Sequence, residues 1–215
     1  GWLNDLWRFN ITSEEWAWMS GNKTAHVYGV YGTKGVPDMA NYPGSRTYSV
    51  SWADTNGSLW LFGGWGWSSS GGWGNLNDLW RFNITSKEWA WMSGNKIIDQ
   101  YGVYGSLGVP DVANYPGARY YPVSWTDTDG DLWLFGGWGY AESSIGVLND
   151  LWKFGPAEIS RPGGQLPSTD DDDDGKPKDD LLLIVGITVL VSAIAAVSVI
   201  SVILIKKRSR LKRQT

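Results

Sequence analysis

Between Arg46 and Trp52 the chain alternates, with Tyr48, Val50 and Trp52 at every second position and Thr47, Ser49 and Ser51 between them. A period of two predicts a strand with one face in a core. Asp54-Thr55-Asn56-Gly57 follows as a hairpin turn, Asn-Gly supplying positive φ angles. Leu59-Trp60-Leu61-Phe62 is apolar on both faces, which predicts an inner strand, and Gly63-Gly64 is expected to end it. Leu79-Trp80-Arg81-Phe82 reads as a third strand and Asn83-Ile84-Thr85-Ser86 as its turn. Glu88-Trp89-Ala90-Trp91-Met92 reads as a fourth, with Trp89 and Trp91 on one face.

The pattern repeats. Residues 3–23 read LNDLWRFNITSEEWAWMSGNK, and residues 76–96 repeat them with Lys87 in place of Glu14. Residues 148–154 begin the unit again as LNDLWKF. Leu3, Leu76 and Leu148 are 73 and then 72 residues apart, which signals a repeat architecture. The chain holds the last two strands of one unit, one whole unit, and three strands of another, which Gly155-Pro156 stops. Four antiparallel strands per period is the make-up of a propeller blade.

An apolar strand ending in a Gly doublet (Gly63-Gly64, Gly136-Gly137), then an aromatic and a Trp seven residues on (Phe82 to Trp89, Phe9 to Trp16), resembles the kelch repeat over residues 1–154. The resemblance implies an all-β fold, a partial kelch-type β-propeller of about two to three blades. Kelch units run to about 50 residues. The excess here is AHVYGVYGTKGVPDMANYP in one copy and IDQYGVYGSLGVPDVANYP in the other, between the fourth strand and the next first strand. A propeller closes with about 4–8 blades. The remaining blades are therefore expected from sequence ahead of Gly1, where the first unit is entered midway.

The rest of the chain is of another kind. Residues 156–180 carry Pro156, Pro162, Pro167 and Pro177 with an acidic run from Asp170 to Asp174, and read as an extended stalk. Leu181 to Ile205 contains no charge and no Pro, and as a helix it reaches ~37 Å, enough to cross a membrane. Lys206, Lys207, Arg208, Arg210, Lys212 and Arg213 follow in a basic tail, residues 206–215. Basic residues stay cytoplasmic, which predicts a single-pass type I protein, placed at the plasma membrane, with residues 1–155 extracellular or lumenal.

A net charge of −4 and a mildly acidic repeat region argue against nucleic acid as a partner. The best-known enzymes that the resemblance brings in are galactose-oxidase-like copper oxidases, which use a Cys-linked tyrosine and His ligands. This chain has no Cys and one His, His26, whose place in the next copy is taken by Asp99. No catalytic residue, metal site or cofactor is therefore expected. Asp127-Thr128-Asp129-Gly130-Asp131 lacks the Gly placement and distal Glu of a calcium loop and reads as a hairpin turn. Asp5, Asp78 and Asp150 recur in each Asn-Asp-Leu-Trp and read as structural, with Arg46 and Arg119 as candidate partners.

In a four-stranded meander the stretches Asn22–Pro43 and Trp65–Asn75 become long loops on one side, and the short turns lie on the other. Sequons at Asn10, Asn56 and Asn83 fall on the short-turn side, and one at Asn22 opens a long loop. Glycans there leave the long-loop side free. Its aromatics are the candidate ligand contacts: Tyr28, Tyr31, Trp65, Trp67 and Trp73, matched by Tyr101, Tyr104, Trp138 and Tyr140. Exposed aromatics suit sugar rings or a protein hot spot. The reading is a membrane-anchored module that binds an extracellular protein or glycan. Its alternatives are an oxidase-type ectoenzyme with its catalytic residues in further N-terminal blades, and a structural surface protein.

Overall fold

The computed structural model describes residues 1–155. The expected stalk, membrane helix and basic tail lie outside the described residues. Among the described residues no helix is long and apolar enough to cross a membrane. The described chain is all-β.

The hairpin β1 (Leu6–Asn10) and β2 (Glu15–Ser20) forms a two-stranded sheet. The second sheet uses β3 (Arg46–Thr47), β4 (Val50–Ala53), β5 (Leu59–Trp67), β6 (Trp73–Asn83) and β7 (Glu88–Ser93). Both β3 and β4 pair with β5, which pairs with β6, which pairs with β7, all antiparallel. The third sheet repeats this order with β8 (Arg119–Tyr120), β9 (Val123–Thr126), β10 (Leu132–Tyr140) and β11 (Ile145–Phe154). The three sheets therefore hold two, four and three of the four expected strand positions.

Three expectations about strand limits are corrected. The alternating run at 46–52 is not one strand. Tyr48 has φ 59° and Tyr121 has φ 55°, so the first strand breaks into β3 and β4, and into β8 and β9. Tyr48 then points away from Trp52 and is 48 % exposed, while Trp52 is buried. The Gly doublets do not end a strand. Gly63 (φ 61°) and Gly64 (φ 94°) form a bulge between Phe62 and Gly64, and β5 runs on to Trp67. Such a bulge bends the strand. A Cβ at Gly63 would lie 2.9 Å from the Arg119 carbonyl oxygen, so the missing side chain also lets the third sheet approach. Finally, residues 65–75 are mostly β-ladder. Trp67 pairs with Trp73, and only the turn between them leaves the sheet.

The turns behave as expected in their chemistry. Asp54 accepts from the backbone N–H of Asn56 and Ser58 and from Trp60 Nε1. Asp127 repeats all three bonds with Asp129, Asp131 and Trp133. Of Asn56 and Gly57, only Gly57 takes a positive φ. The Asp127 side chain is thus committed to holding a hairpin turn.

Aromatic faces fill the spaces between sheets. Trp80, Phe82 and Trp89 form one buried cluster with Tyr31, against which Leu6 and Met19 of the hairpin pack. Trp52, Trp60, Phe62 and Leu79 form the next with Leu132 and Leu134 of the third sheet. Trp89 Nε1 donates to Ser20 Oγ at 3.0 Å, and Trp52 Nε1 to the Trp133 carbonyl at 3.1 Å, so each sheet also bonds to its neighbour through an indole.

Within this frame Arg46 forks onto Asp78. Nη1 meets Oδ1 and Nη2 meets Oδ2, both at 2.7 Å, with the side chains 5 % and 0 % exposed. Asp78 Oδ2 also accepts from Tyr31 OH at 2.6 Å and Trp80 Nε1 at 2.7 Å. Arg119, Asp150, Tyr104 and Trp152 repeat the set. Among the described residues Asp5 accepts only from Trp7 Nε1. Removing one partner of a buried pair costs about 3–5 kcal/mol, because the other charge is left uncompensated. Asp78→Ala should therefore lower unfolding free energy by about that amount, and Asp5→Ala by less than ~1 kcal/mol, although both replace the Asp of one motif. Urea unfolding followed by Trp fluorescence measures the difference.

Candidate functional site

The structure separates the nine candidate aromatics into two groups. Tyr31 and Tyr104 belong to the Arg–Asp clusters. Tyr31 is 3 % exposed, packs at a tilt against Trp80 and donates to Asp78, so it is not open to a ligand. Tyr104 packs on Trp152 and donates to Asp150. Burial raises the pKa of both phenols, and the neighbouring carboxylate raises it further, Tyr104 to about 12. Burial alone would also raise Asp78 and Asp150. Their Arg partners outweigh it by charge and hydrogen bonding, so both carboxyls titrate below the ordinary carboxylate range. A neutral phenol donating to a permanent carboxylate is a fixed joint, with no proton to give near neutral pH.

The other seven lie together at one end of the sheets. Register fixes which end. Leu59 pairs with Phe82 beside the turns that carry Asn56 and Asn83, whereas Trp67 pairs with Trp73 at the far end of the same ladder. The sequons at 56 and 83 and the aromatic end are thus opposed along β5 and β6. Asn10, Asn56 and Asn83 are exposed. Asn22 is half-buried, and its Nδ2 is enclosed without a hydrogen-bond partner.

Aromatic rings form a continuous series at this end. Trp73 meets Trp65 at 5.4 Å between ring centroids, Trp65 meets Tyr120 at 5.8 Å, and Tyr120 meets Trp138 at 5.4 Å. The series crosses from the second sheet to the third. Trp67 packs edge-on against Tyr28, and Tyr101 against Tyr140, as two equivalent side pairs. Trp73, which also meets Trp2 at 5.7 Å, is 51 % exposed and Trp138 is 37 % exposed, so the series reaches solvent on both sheets. Trp65 and Trp67 are half-buried and serve as its floor.

Sequence reasoning missed Tyr48, Tyr120 and Tyr121, having placed Tyr48 on an inward face. The Tyr48 and Tyr121 rings lie 4.1 Å apart, and Tyr121 also contacts Tyr120 at 5.3 Å. Tyr121 N–H donates to the Tyr48 carbonyl, which ties the two strand breaks together. The repeated Arg-x-Tyr of Arg46-Thr47-Tyr48 and Arg119-Tyr120-Tyr121 was the available signal. A bulky residue at positive φ stores strain, and such strain collects at functional positions.

The ring series itself is aromatic and uncharged, and the Asp99 carboxylate lies against Tyr140 beside it. Among the described residues no group of three or more His, Cys, Asp or Glu is placed to hold a metal ion. His26 packs between Trp2 and Trp67 at φ 62°, and its counterpart Asp99 bonds to Asn75. The platform can stack against flat or ring-shaped groups, and phenol hydroxyls at its edge can hydrogen-bond them.

No protein-family model matches the chain, and a search of curated proteins found no match.

A hydrogen bond to Tyr48 is the largest reason that the Tyr121 pKa is raised to about 12. Removing that hydroxyl by Tyr48→Phe should move it down toward ~10. Alkaline titration of tyrosinate absorbance in the variant and the parent reads this shift directly.

Proposed function

We propose that the three sheets are kelch-like propeller blades displayed outside the cell on a single-pass type I anchor, and that they bind an extracellular protein or glycan through the aromatic end. One observation carries the reading: the ring series from Trp73 through Trp65 and Tyr120 to Trp138, with Tyr48 and Tyr121 beside it. Aromatic side chains are usually spent on a core, as Trp80 and Trp89 are here. Rings that reach solvent in a connected row are more than a loop needs to be pinned. They offer a rigid surface with little rotamer entropy to lose on binding. The sequons at the opposite end support the same assignment, since glycans there would leave the platform uncovered. The uncharged run 181–205 and the basic residues after it support the topology.

A single assay on intact cells tests placement and face together. Fluorescent neoglycoproteins carrying a panel of neutral oligosaccharides, which cannot enter cells, should label cells expressing the full chain. Trp73→Ala with Trp138→Ala should weaken the best probe by at least ~30-fold, the cost of losing one aromatic anchor. Asn83→Gln should leave affinity unchanged. Labelling that requires permeabilised cells would overturn the topology. Labelling insensitive to the Trp changes would overturn the face.

A further inference from the structure

Six residues other than glycine take a positive φ among the described residues. They fall into three pairs one repeat apart: Glu14 with Lys87, His26 with Asp99, and Tyr48 with Tyr121. The first two pairs lie in turns and bends. Tyr48 and Tyr121 instead interrupt the first strand of a sheet, between β3 and β4 and between β8 and β9. The backbone there is held from both sides. A Cβ at Gly64 would lie 2.5 Å from the Thr47 carbonyl oxygen, and one at Gly137 2.8 Å from the Tyr120 carbonyl oxygen. Each Gly bulge thus sits directly behind a tyrosine break. Ser49 Oγ donates to the Gly63 carbonyl at 2.8 Å, and Tyr121 N–H donates to the Tyr48 carbonyl at 3.2 Å.

The two rings are left at the surface, each 48 % exposed. Their centroids are 4.1 Å apart with 37° between the planes, the shortest ring separation among the described residues. Their hydroxyls are hydrogen-bonded to each other. The carbons ortho to each hydroxyl are therefore also close, and each ring can turn about its Cβ–Cγ bond without disturbing a core. Other tyrosines differ. Tyr101 and Tyr140 meet edge-on at 5.2 Å, with the Tyr140 hydroxyl bonded to Asp99. Tyr31 and Tyr104 are bonded to the Asp78 and Asp150 carboxylates. The chain has no Cys, so no disulfide can tie one sheet to the next.

We infer that Tyr48 and Tyr121 are a site of oxidative cross-linking, joined ortho carbon to ortho carbon into a dityrosine that ties the second sheet to the third. The oxidant is hydrogen peroxide, used by a haem peroxidase. Each phenol gives up one electron and its hydroxyl proton. The two radicals pair to form one carbon–carbon bond between the rings. The hydrogen on each joined carbon then leaves as a proton, and one proton returns to each oxygen to restore the phenol. In sum, two phenols and one peroxide give one biphenol and two waters. Holding both reacting groups in contact replaces a bimolecular encounter with a step inside one molecule, which favours this pair over collisions between chains. The backbone bond between Tyr121 and Tyr48 keeps the rings in register while they react. A link between equivalent residues of successive units closes a long loop, and such a link removes freedom from the unfolded chain. The cross-link needs no ligand at the aromatic end.

The full chain in detergent micelles, treated with a haem peroxidase and limiting hydrogen peroxide, tests this. Biphenol fluorescence should rise while the chain still runs as a monomer on a denaturing gel. Mass spectrometry of a protease digest should find the peptides carrying Tyr48 and Tyr121 joined, lighter together by two hydrogen atoms. This link should form at least ~10-fold faster than any other tyrosine link in the folded chain, and should lose that lead when the chain is oxidised in urea. Tyr48→Phe and Tyr121→Phe, which keep the rings, should each abolish the joined peptide. Tyr120→Phe should leave it. No joined peptide, links that fall mainly between chains, a main link at Tyr101 and Tyr140, a link that survives Tyr121→Phe, or the same set of links with and without urea would each overturn the assignment.

Discussion

The Asp78 carboxylate buried beneath the second sheet holds that sheet's segments together. Asp78 is fully enclosed, and it receives hydrogen bonds from Arg46, Tyr31 and Trp80. A charge in that position is costly unless every lone pair is answered. The answer comes from two segments distant in sequence, the long insertion and the start of the first strand, and from the third strand itself. Arg46 also donates to the Gly44 and Gly63 carbonyls. One guanidinium therefore joins the incoming chain, the Gly bulge and the Asn-Asp-Leu-Trp strand. The insertion between the fourth strand and the next first strand is the part that delivers the Tyr and the covering backbone.

This explains why the aromatic end is where it is. The insertion must return over β6 and β7 to place Tyr31 and Gly35, and its first half then leaves Tyr28 beside Trp67. Pairing of β3 with the far end of β5 continues the sheet past the bulge, where Trp65 and Trp67 sit. The strand break at Tyr48 turns that ring out of the core toward Tyr121. Core and platform are built from the same residue types. What divides them is whether the insertion or a neighbouring sheet covers them.

Much of this was legible in the chain. The strand count per unit, the short turns and the pairing of Arg46 and Arg119 with the recurring Asp follow from period, turn chemistry and repetition. The strand limits did not. A Gly-Gly doublet reads as a stop, yet with partners on both sides it serves as a bulge, and β5 and β6 continue for several more residues. Alternation at 46–52 reads as one strand, and nothing local marks Tyr48 as left-handed. At the candidate site, Tyr31 and Tyr104 carry the same letters as Tyr28 and Tyr101. Only the fold shows that one pair of tyrosines is locked on a carboxylate and the other faces solvent.

The dependence of the fold on the buried pair is measured most directly by a double-mutant cycle on Arg46 and Asp78. Arg46→Met, Asp78→Leu and the double variant, each unfolded in urea, give the coupling between the two side chains. If the pair holds the second sheet together, each single change destabilises strongly and the double change costs far less than their sum, a coupling of roughly 3 kcal/mol. Additive losses, with coupling below ~0.5 kcal/mol, would contradict the account and leave the aromatic clusters alone as the source of the fold.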